Sequence, residues 1–321
     1  MRVKTRKLAL TEGITAGVLF GTAAIFIRFL QNLDSFSIAF WRLTVACLVL
    51  GVILLFVRTS FSFNLVRRNL RDLVFLSFFL GLHFIFFISA VKDTTILNAA
   101  VLVNTTPIFS TFISAFFFNL KPSRLAILGL TISFIGVCVI AYTEVTMANT
   151  NASTGSFSPN LKGDLEAVLA ALVEAFYLNY GRKTRKQMTI LSIMFPIYIF
   201  TAIIVGLLGI LSTGKILTLP TETAMIFPLV GLGILPTAIA HTLYFSSLSN
   251  LKSFETATMA LLEPIGATLL GVILFREIPE YLFIFGAALI LLGILFIVKE
   301  KEPRAFKFEE ANKKKDNQVM T

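Results

Sequence analysis

Two stretches decide the fold: LVNTTPIFSTFISAFFFNLKP at residues 102–122 and MALLEPIGATLLGVILFREIP at residues 259–279. Laid on each other at a shift of 157 positions they align without a gap. Pro107 meets Pro264, Ile108 meets Ile265, Thr111 meets Thr268, Phe118 meets Phe275 and Pro122 meets Pro279. The register continues past the turn, where Gly129 meets Gly286 and Gly136 meets Gly293. Weaker matches precede it. A shift of 150 pairs Gly13, Val18, Leu19 and Phe26 with Gly163, Val168, Leu169 and Phe176. A shift of 155 pairs Ser37, Ile38 and Phe40 with Ser192, Ile193 and Phe195. Matches in a shared order along the whole chain predict an internal duplication.

The composition says what is duplicated. Of 321 residues, 56% are hydrophobic and only 14% are charged, too little polar surface for a water-soluble domain of this size. A hydrocarbon layer about 30 Å thick is crossed by about 20 apolar residues in a helix. Runs of that length predict ten helices at 8–30, 36–57, 73–91, 96–118, 125–142, 164–181, 190–212, 223–248, 256–275 and 281–298. The expectation is an all-α integral membrane protein. Its ten transmembrane helices form two inverted five-helix repeats, 8–142 and 163–298. An extracytoplasmic linker, 143–162, joins them. A cytoplasmic N-terminus, 1–7, precedes them, and a disordered cytoplasmic tail, 299–321, follows. The sixth span is the least apolar, and the repeat supports it. The basic start MRVKTRK mimics a signal peptide, but the run behind it is too long for one, so it reads as a retained span.

An odd number of spans per repeat turns the second copy over. Loop charge tests the inversion separately, because basic loops stay on the cytoplasmic side. With both termini inside, 22 of the 28 Lys and Arg residues fall on the inner side, five on the outer side, and Arg42 lies within a span. The loop after the sixth span, GRKTRK, is basic, whereas its repeat-mate after the first span is poor in charge. The net charge of +10 is thereby explained by orientation in a cell membrane, and no nucleic-acid partner is expected.

Glu263 is out of place in its apolar stretch. A charge at mid-bilayer costs about 2.5–3.5 kcal/mol on insertion scales, so it faces protein or water. Its helical stripe is Thr256, Ala260, Glu263, Ala267 and Gly271, small residues that allow close packing or a cavity. Pro264 has no N–H, which frees the carbonyl of Ala260 and points to the same inward face. Glu174, on a stripe with Tyr177, is the second intramembrane acid. Both acids are candidates for substrate or proton binding, with helix-to-helix hydrogen bonding as the alternative. Arg42, beside Trp41, has three readings: a bidentate carboxylate or phosphate ligand, a partner for a glutamate, or a side chain snorkelling to the surface. His83 and His241 are scaffold or proton-coupling groups, and Asn104 is polar lining or an interhelical contact. Trp41 also suits an interfacial belt. Cys47 and Cys138 are expected as buried thiols. No metal-ligand spacing, phosphate loop or nucleophile with a base is present, so neither enzyme activity, a metal nor a cofactor is expected. Asn151 begins an N-x-S triplet.

Together these motifs resemble the drug/metabolite transporter superfamily, in its EamA-type branch. VLFGTAAIF, FWRLTVACL, NTTPIFSTFISAFFF, LLEPIGATLLGVILFREIP and GAALILLGILFIV carry the likeness across residues 8 to 298. Glu277 matches the family's ending of the ninth span. Its first-half counterpart is replaced by Asn119-Leu120-Lys121, and Phe20 stands where a tryptophan is frequent. The resemblance implies a carrier of small metabolites, often amino acids or their analogues and frequently outward. A nucleotide-sugar or sugar-phosphate antiporter of the same superfamily, and a non-transporting receptor or scaffold, are the alternatives. The expected partners are a small-molecule solute, membrane lipid and a coupling proton.

Overall fold

The computed structural model describes residues 5–57, 61–94, 96–119, 122–150, 160–214, 217–220, 222–275 and 281–299. Residues 300–321 of the tail, Asn151, Lys121 and Glu277 lie outside them. The described residues form helices and turns, with no strand among them. In chain order, α1 runs Arg6–Phe20 and Thr22–Arg28, α2 Ser35–Phe56 and α3 Leu70–Asp93. Then come α4, Ile96–Val103 and Thr106–Phe117, and α5, Arg124–Thr150. The second half holds α6, Leu161–Gln187, α7, Ile190–Thr213, and α8, Thr223–Leu232 with Gly233–His241 and Thr242–Ser247. It closes with α9, Ser253–Met259, Ala260–Leu262 and Glu263–Phe275, and α10, Tyr281–Val298. A short helix, Phe63–Arg68, precedes α3.

Seven of these stretches are long and apolar enough to cross a membrane, and the chain is a multi-pass membrane protein. Two helices outrun the sequence expectation. α5 continues to Thr150 rather than 142, and α6 spans 161 to 187 rather than 164 to 181. Apolar runs mark where hydrocarbon lies, whereas Lys and Arg are good helix formers that favour the C-terminal end of the dipole. GRKTRK is therefore the last turns of α6 and not a loop.

The two repeat-mate prolines break their helices at matching places. α4 is interrupted between Val103 and Thr106, just before Pro107. α9 tightens to a 3₁₀ turn at Ala260–Leu262, just before Pro264. The Ala260 carbonyl, expected to need outside help, accepts from the backbone N–H of Glu263 within that turn. In α4 the Thr106 hydroxyl donates to the Val103 carbonyl at 2.8 Å. Each proline thus costs one helical bond that a local substitute replaces.

Helices pack mainly through small residues. α5 and α10 cross in backbone contact, Gly129 against Gly293 and Gly136 against Gly286, with Ser133 Oγ donating to the Ile290 carbonyl at 3.2 Å between them. Low numbers meet high ones, so this pair runs antiparallel. α2 and α7 do likewise, Phe36 lying on Gly209, Phe40 on Gly206 and Phe195 on Gly51. α3 packs on α6, α1 on α8, and the start of α9 on the second part of α4. α1 also runs beside α9, where Gly13 and Gly17 meet Met259, and Gly21 meets the backbone at Glu263 and Gly266. The outer surface is apolar, with Phe116, Phe117, Leu211 and Phe227 each more than 70% exposed, as a lipid-facing belt requires. Cys138 belongs to that exposed face and Cys47 is half-buried, so the expectation of two buried thiols fails. The inward face of α5 is taken by Gly129, Ser133 and Gly136, which turns Cys138 outward.

Candidate functional site

A cavity lies among α1, α2, α3, α4, α6, α8 and α9. Its polar lining is Arg42, His83, Asn104, Glu174, His241 and Glu263. Phe20, Phe84 and Phe87 supply aromatic walls, with Ala23, Val103, Pro236 and Ala260 between them. Six of the eight residues singled out from the sequence therefore converge on one space. Glu174, Glu263 and Arg42 are 5%, 7% and 1% exposed, well away from lipid.

The helix breaks build this site. Glu263 begins the second α-helical part of α9, directly after the 3₁₀ turn, and α1 passes over it through Gly21. Asn104 sits in the gap of α4, its amide Nδ2 donating to the Ala100 carbonyl at 2.8 Å and its buried Oδ1 without a partner among the described residues. Thr105 donates to the Leu102 carbonyl at 2.6 Å and so caps the same break. Thr106 also reaches across, its hydroxyl 3.2 Å from Glu174 Oε2.

His83 Nδ1 lies 3.1 Å from the Ala170 carbonyl, which can only accept, so Nδ1 carries the hydrogen in that contact. Glu174 Oε2 is 3.8 Å from the same nitrogen, beyond a hydrogen bond and within ion-pair range when the ring is charged. The His83 and His241 rings meet edge to face with centroids 5.9 Å apart. His241 is further enclosed by Phe20 at 4.8 Å and Phe84 at 4.9 Å.

Arg42 neither snorkels nor pairs with a glutamate. Its Nε donates to Thr237 Oγ1 at 2.9 Å, and its guanidinium lies 4.0 Å over the Phe84 ring, a cation–π arrangement. No carboxylate is within 4.0 Å of it among the described residues, and its buried Nη1 has no partner there.

Two of the singled-out residues stay off the cavity lining. Tyr177 is buried on another face of α6, against the Phe245 ring and with its hydroxyl 3.8 Å from Met194 Sδ. Trp41 is half-buried near the start of α2, where its indole N–H donates to the Thr218 carbonyl at 3.0 Å. Glu166 is paired near the start of α6 with Lys162 at 3.7 Å. The relation of the two histidines escaped the sequence reading. A signal for it exists: His83 precedes Pro107 by 24 residues and His241 precedes Pro264 by 23, so they are repeat-mates within one position.

Comparison with known proteins now places this architecture. The chain matches the EamA-like transporter family over residues 8–142 and again over 161–299. It belongs to that family. Among its relatives, "Uncharacterized transporter YxxF" of Bacillus subtilis (strain 168) is 23% identical over 303 residues, covering 94% of this chain and 93% of the relative. "Uncharacterized transporter YdfC" of the same organism is 29% identical over 307 residues, covering 92% of each. A solved crystal structure shares the fold with a TM-score of 0.73 at 20% identity, covering 91% of this chain and 96% of the other.

Proposed function

We propose that this family member is a secondary transporter that moves a small polar metabolite, an amino acid or analogue, by alternating access, in the outward direction. The carrying observation is the composition of the cavity. One guanidinium, two carboxylates, two imidazoles and three aromatic rings converge where lipid has no access. An anionic group of the solute suits Arg42, an ammonium suits Glu174 and Glu263, and an apolar side chain suits the phenylalanines. His83 with Glu174 is the pair suited to exchange a proton with the pathway. Arg42 is the one guanidinium or ammonium in the lining, which disfavours a nucleotide-sugar substrate with its two phosphates.

The halves 8–142 and 163–298, joined by 143–162, are read as oppositely oriented copies with both chain ends in the cytoplasm. The antiparallel run of the repeat-mates α2 with α7 and α5 with α10 supports this reading. So do the partners: α3 on α6 becomes α8 on α1 when the halves are exchanged. Arg42, His83 and Asn104 come from the first half, and Glu174, His241 and Glu263 from the second, so a rocking of one half on the other would open the site to alternate sides. Polar contacts at the two ends suit closure. Arg6 holds Glu255 through two hydrogen bonds of 3.2 and 2.8 Å, while Thr94 and Asn98 hold Asp164 at 2.9 and 3.3 Å. Glu255 and Asn98 are repeat-mates at the shift of 157.

Uptake of each radiolabelled L-amino acid into proteoliposomes containing the purified protein tests the function. Substrate-specific flux above empty liposomes is expected. Absence of flux for every amino acid, with an inward gradient, an outward gradient or a proton gradient, would overturn the substrate assignment.

A further inference from the structure

We propose that Thr237 and Tyr198 are positioning residues that aim the Arg42 guanidinium into the cavity, by way of the π-helical stretch of α8. The inference rests on Arg42 being the anion-binding group of the proposed site. It begins at Pro236, which has no N–H and leaves the Leu232 carbonyl short of its ordinary helical donor. The Thr237 hydroxyl donates to that carbonyl at 2.6 Å. A hydroxyl has one hydrogen, so with that hydrogen engaged its lone pairs are what remain. Arg42 Nε, 2.9 Å away, donates to them. In the π-turn the backbone donor for that carbonyl shifts from residue 236 to the N–H of Thr237, and the Thr237 hydroxyl, bonded to the same carbonyl, also holds the arginine.

The surroundings agree. Residues Gly233 to His241 are wound as a π-helix, a rare form that recurs at functional sites. Tyr198, on α7, braces the wide turn, its hydroxyl donating to the Thr237 carbonyl at 2.8 Å and lying 3.2 Å from Thr242 Oγ1. At Gly233 the turn packs on α2, where an added Cβ would lie 2.5 Å from the Val45 side chain and 3.0 Å from the Arg42 carbonyl. With Nε tied back and Phe84 under the guanidinium plane, the Nη end alone remains for a ligand, and Nη1 has no other partner among the described residues. A guanidinium held in this way presents a preformed fork, where a free one would have to be ordered on binding. Thr237 and Tyr198 themselves do not line the cavity.

The test reads Arg42 directly. In purified protein labelled with 15N-arginine, the Nε–H of Arg42 is assigned by its loss in Arg42→Lys, and its hydrogen exchange is measured. Thr237→Val is expected to speed that exchange at least tenfold, Thr237→Ser to restore wild-type protection, and Tyr198→Phe to fall between them. In proteoliposomes with the L-amino acid panel, Thr237→Val should raise the half-saturation concentration about tenfold, with the maximal rate within about twofold, and Thr237→Ser should restore it. Wild-type protection in Thr237→Val, or a Thr237→Ser as impaired as Thr237→Val, would overturn the assignment. Should Thr237→Val fail to fold, unchanged exchange in Tyr198→Phe would do so. If no amino acid is carried by the wild type, the substrate reading falls while the exchange measurement still decides the role of Thr237.

Discussion

Gly21→Ala tests whether the crossing of α1 over α9 positions the site. Gly21 is the joint between the two parts of α1, and its backbone is right-handed helical, so alanine suits its dihedral angles. The obstacle is steric. A Cβ there would lie 2.6 Å from the Glu263 carbonyl oxygen and 2.7 Å from the Gly266 carbonyl carbon, both backbone atoms that no rotamer change relieves. The Ala267 amide nitrogen lies nearer still, and ordinary contact begins at 3.4 Å, so α1 and α9 must part by about 1 Å. Overpacking of that kind costs about 1–3 kcal/mol. It also moves Glu263 away from the groups opposite it, and misplacements near 1 Å cost enzymes about a hundredfold. The expected result is a clear fall in melting temperature in detergent and at least tenfold slower transport. Gly51→Ala is the matched control. Its Cβ would meet only Phe195 Cε2, at 3.7 Å, inside α2, and alanine gains about 0.5–1 kcal/mol over glycine in a helix. Gly21→Ala melting and transporting like Gly51→Ala would refute the argument that backbone contact with α1 sets the position of Glu263.

Glu174→Gln and Glu263→Gln should each lower transport at least tenfold in proteoliposomes, and wild-type rates in both would remove the acids from the site. Glu255→Gln removes the carboxylate charge that Arg6 bonds across the α1–α9 contact. Ala260→Cys in the cavity should then react faster with a membrane-impermeant maleimide added from the cytoplasmic side, and the exchange Arg6→Glu with Glu255→Arg should slow it again. Trp41→Phe should leave transport within about twofold, because the indole bonds to Thr218 outside the cavity; a tenfold loss would return it to the site. Cysteines placed at residues 2 and 319 should be labelled from the same side of the membrane, and labelling from opposite sides would end the inverted-halves reading.

Local chemistry made part of this molecule legible. Pro107 and Pro264 announce helix breaks because a proline cannot donate, whatever surrounds it. Gly129, Gly136, Gly286 and Gly293 announce close packing because they recur at two-turn spacing on one face. Glu174, Glu263 and Arg42 announce an interior site because a bilayer expels charge. The pairings stayed hidden for a different reason. A helical stripe fixes which residues share a face and leaves open which neighbour that face meets. Tyr177 shares the sequence stripe of Glu174, yet the offset between the two residues is enough to turn its ring to Phe245 and Met194. Arg42 left three readings open, and Thr237, about two hundred residues away, selects among them. The Ala260 carbonyl found its donor inside its own turn because a 3₁₀ step brings the N–H of Glu263 back to it, a choice that hydropathy does not register.

The symmetry of the frame and the asymmetry of its contents have separate meanings. If the halves are inverted copies, residues that nearly correspond and also meet lie near the axis relating them, and His83 and His241 meet with ring centroids 5.9 Å apart. On the proposed inverted-halves reading, the cavity they line would straddle that axis. The other polar groups do not repeat. At the matching shifts, Glu174 answers to Ala24, Glu263 to Thr106, and Arg42 to Ile197. Both intramembrane acids of the cavity thus belong to the second half and its guanidinium to the first. A solute held by all three would be bound with its cationic part towards one half and its anionic part towards the other. Under the proposed alternating access, a rocking of the halves would change the distance between the very groups that hold it and so couple the strength of binding to which side is open. A frame with acids in both copies would hold a ligand equally in either orientation and lose that coupling.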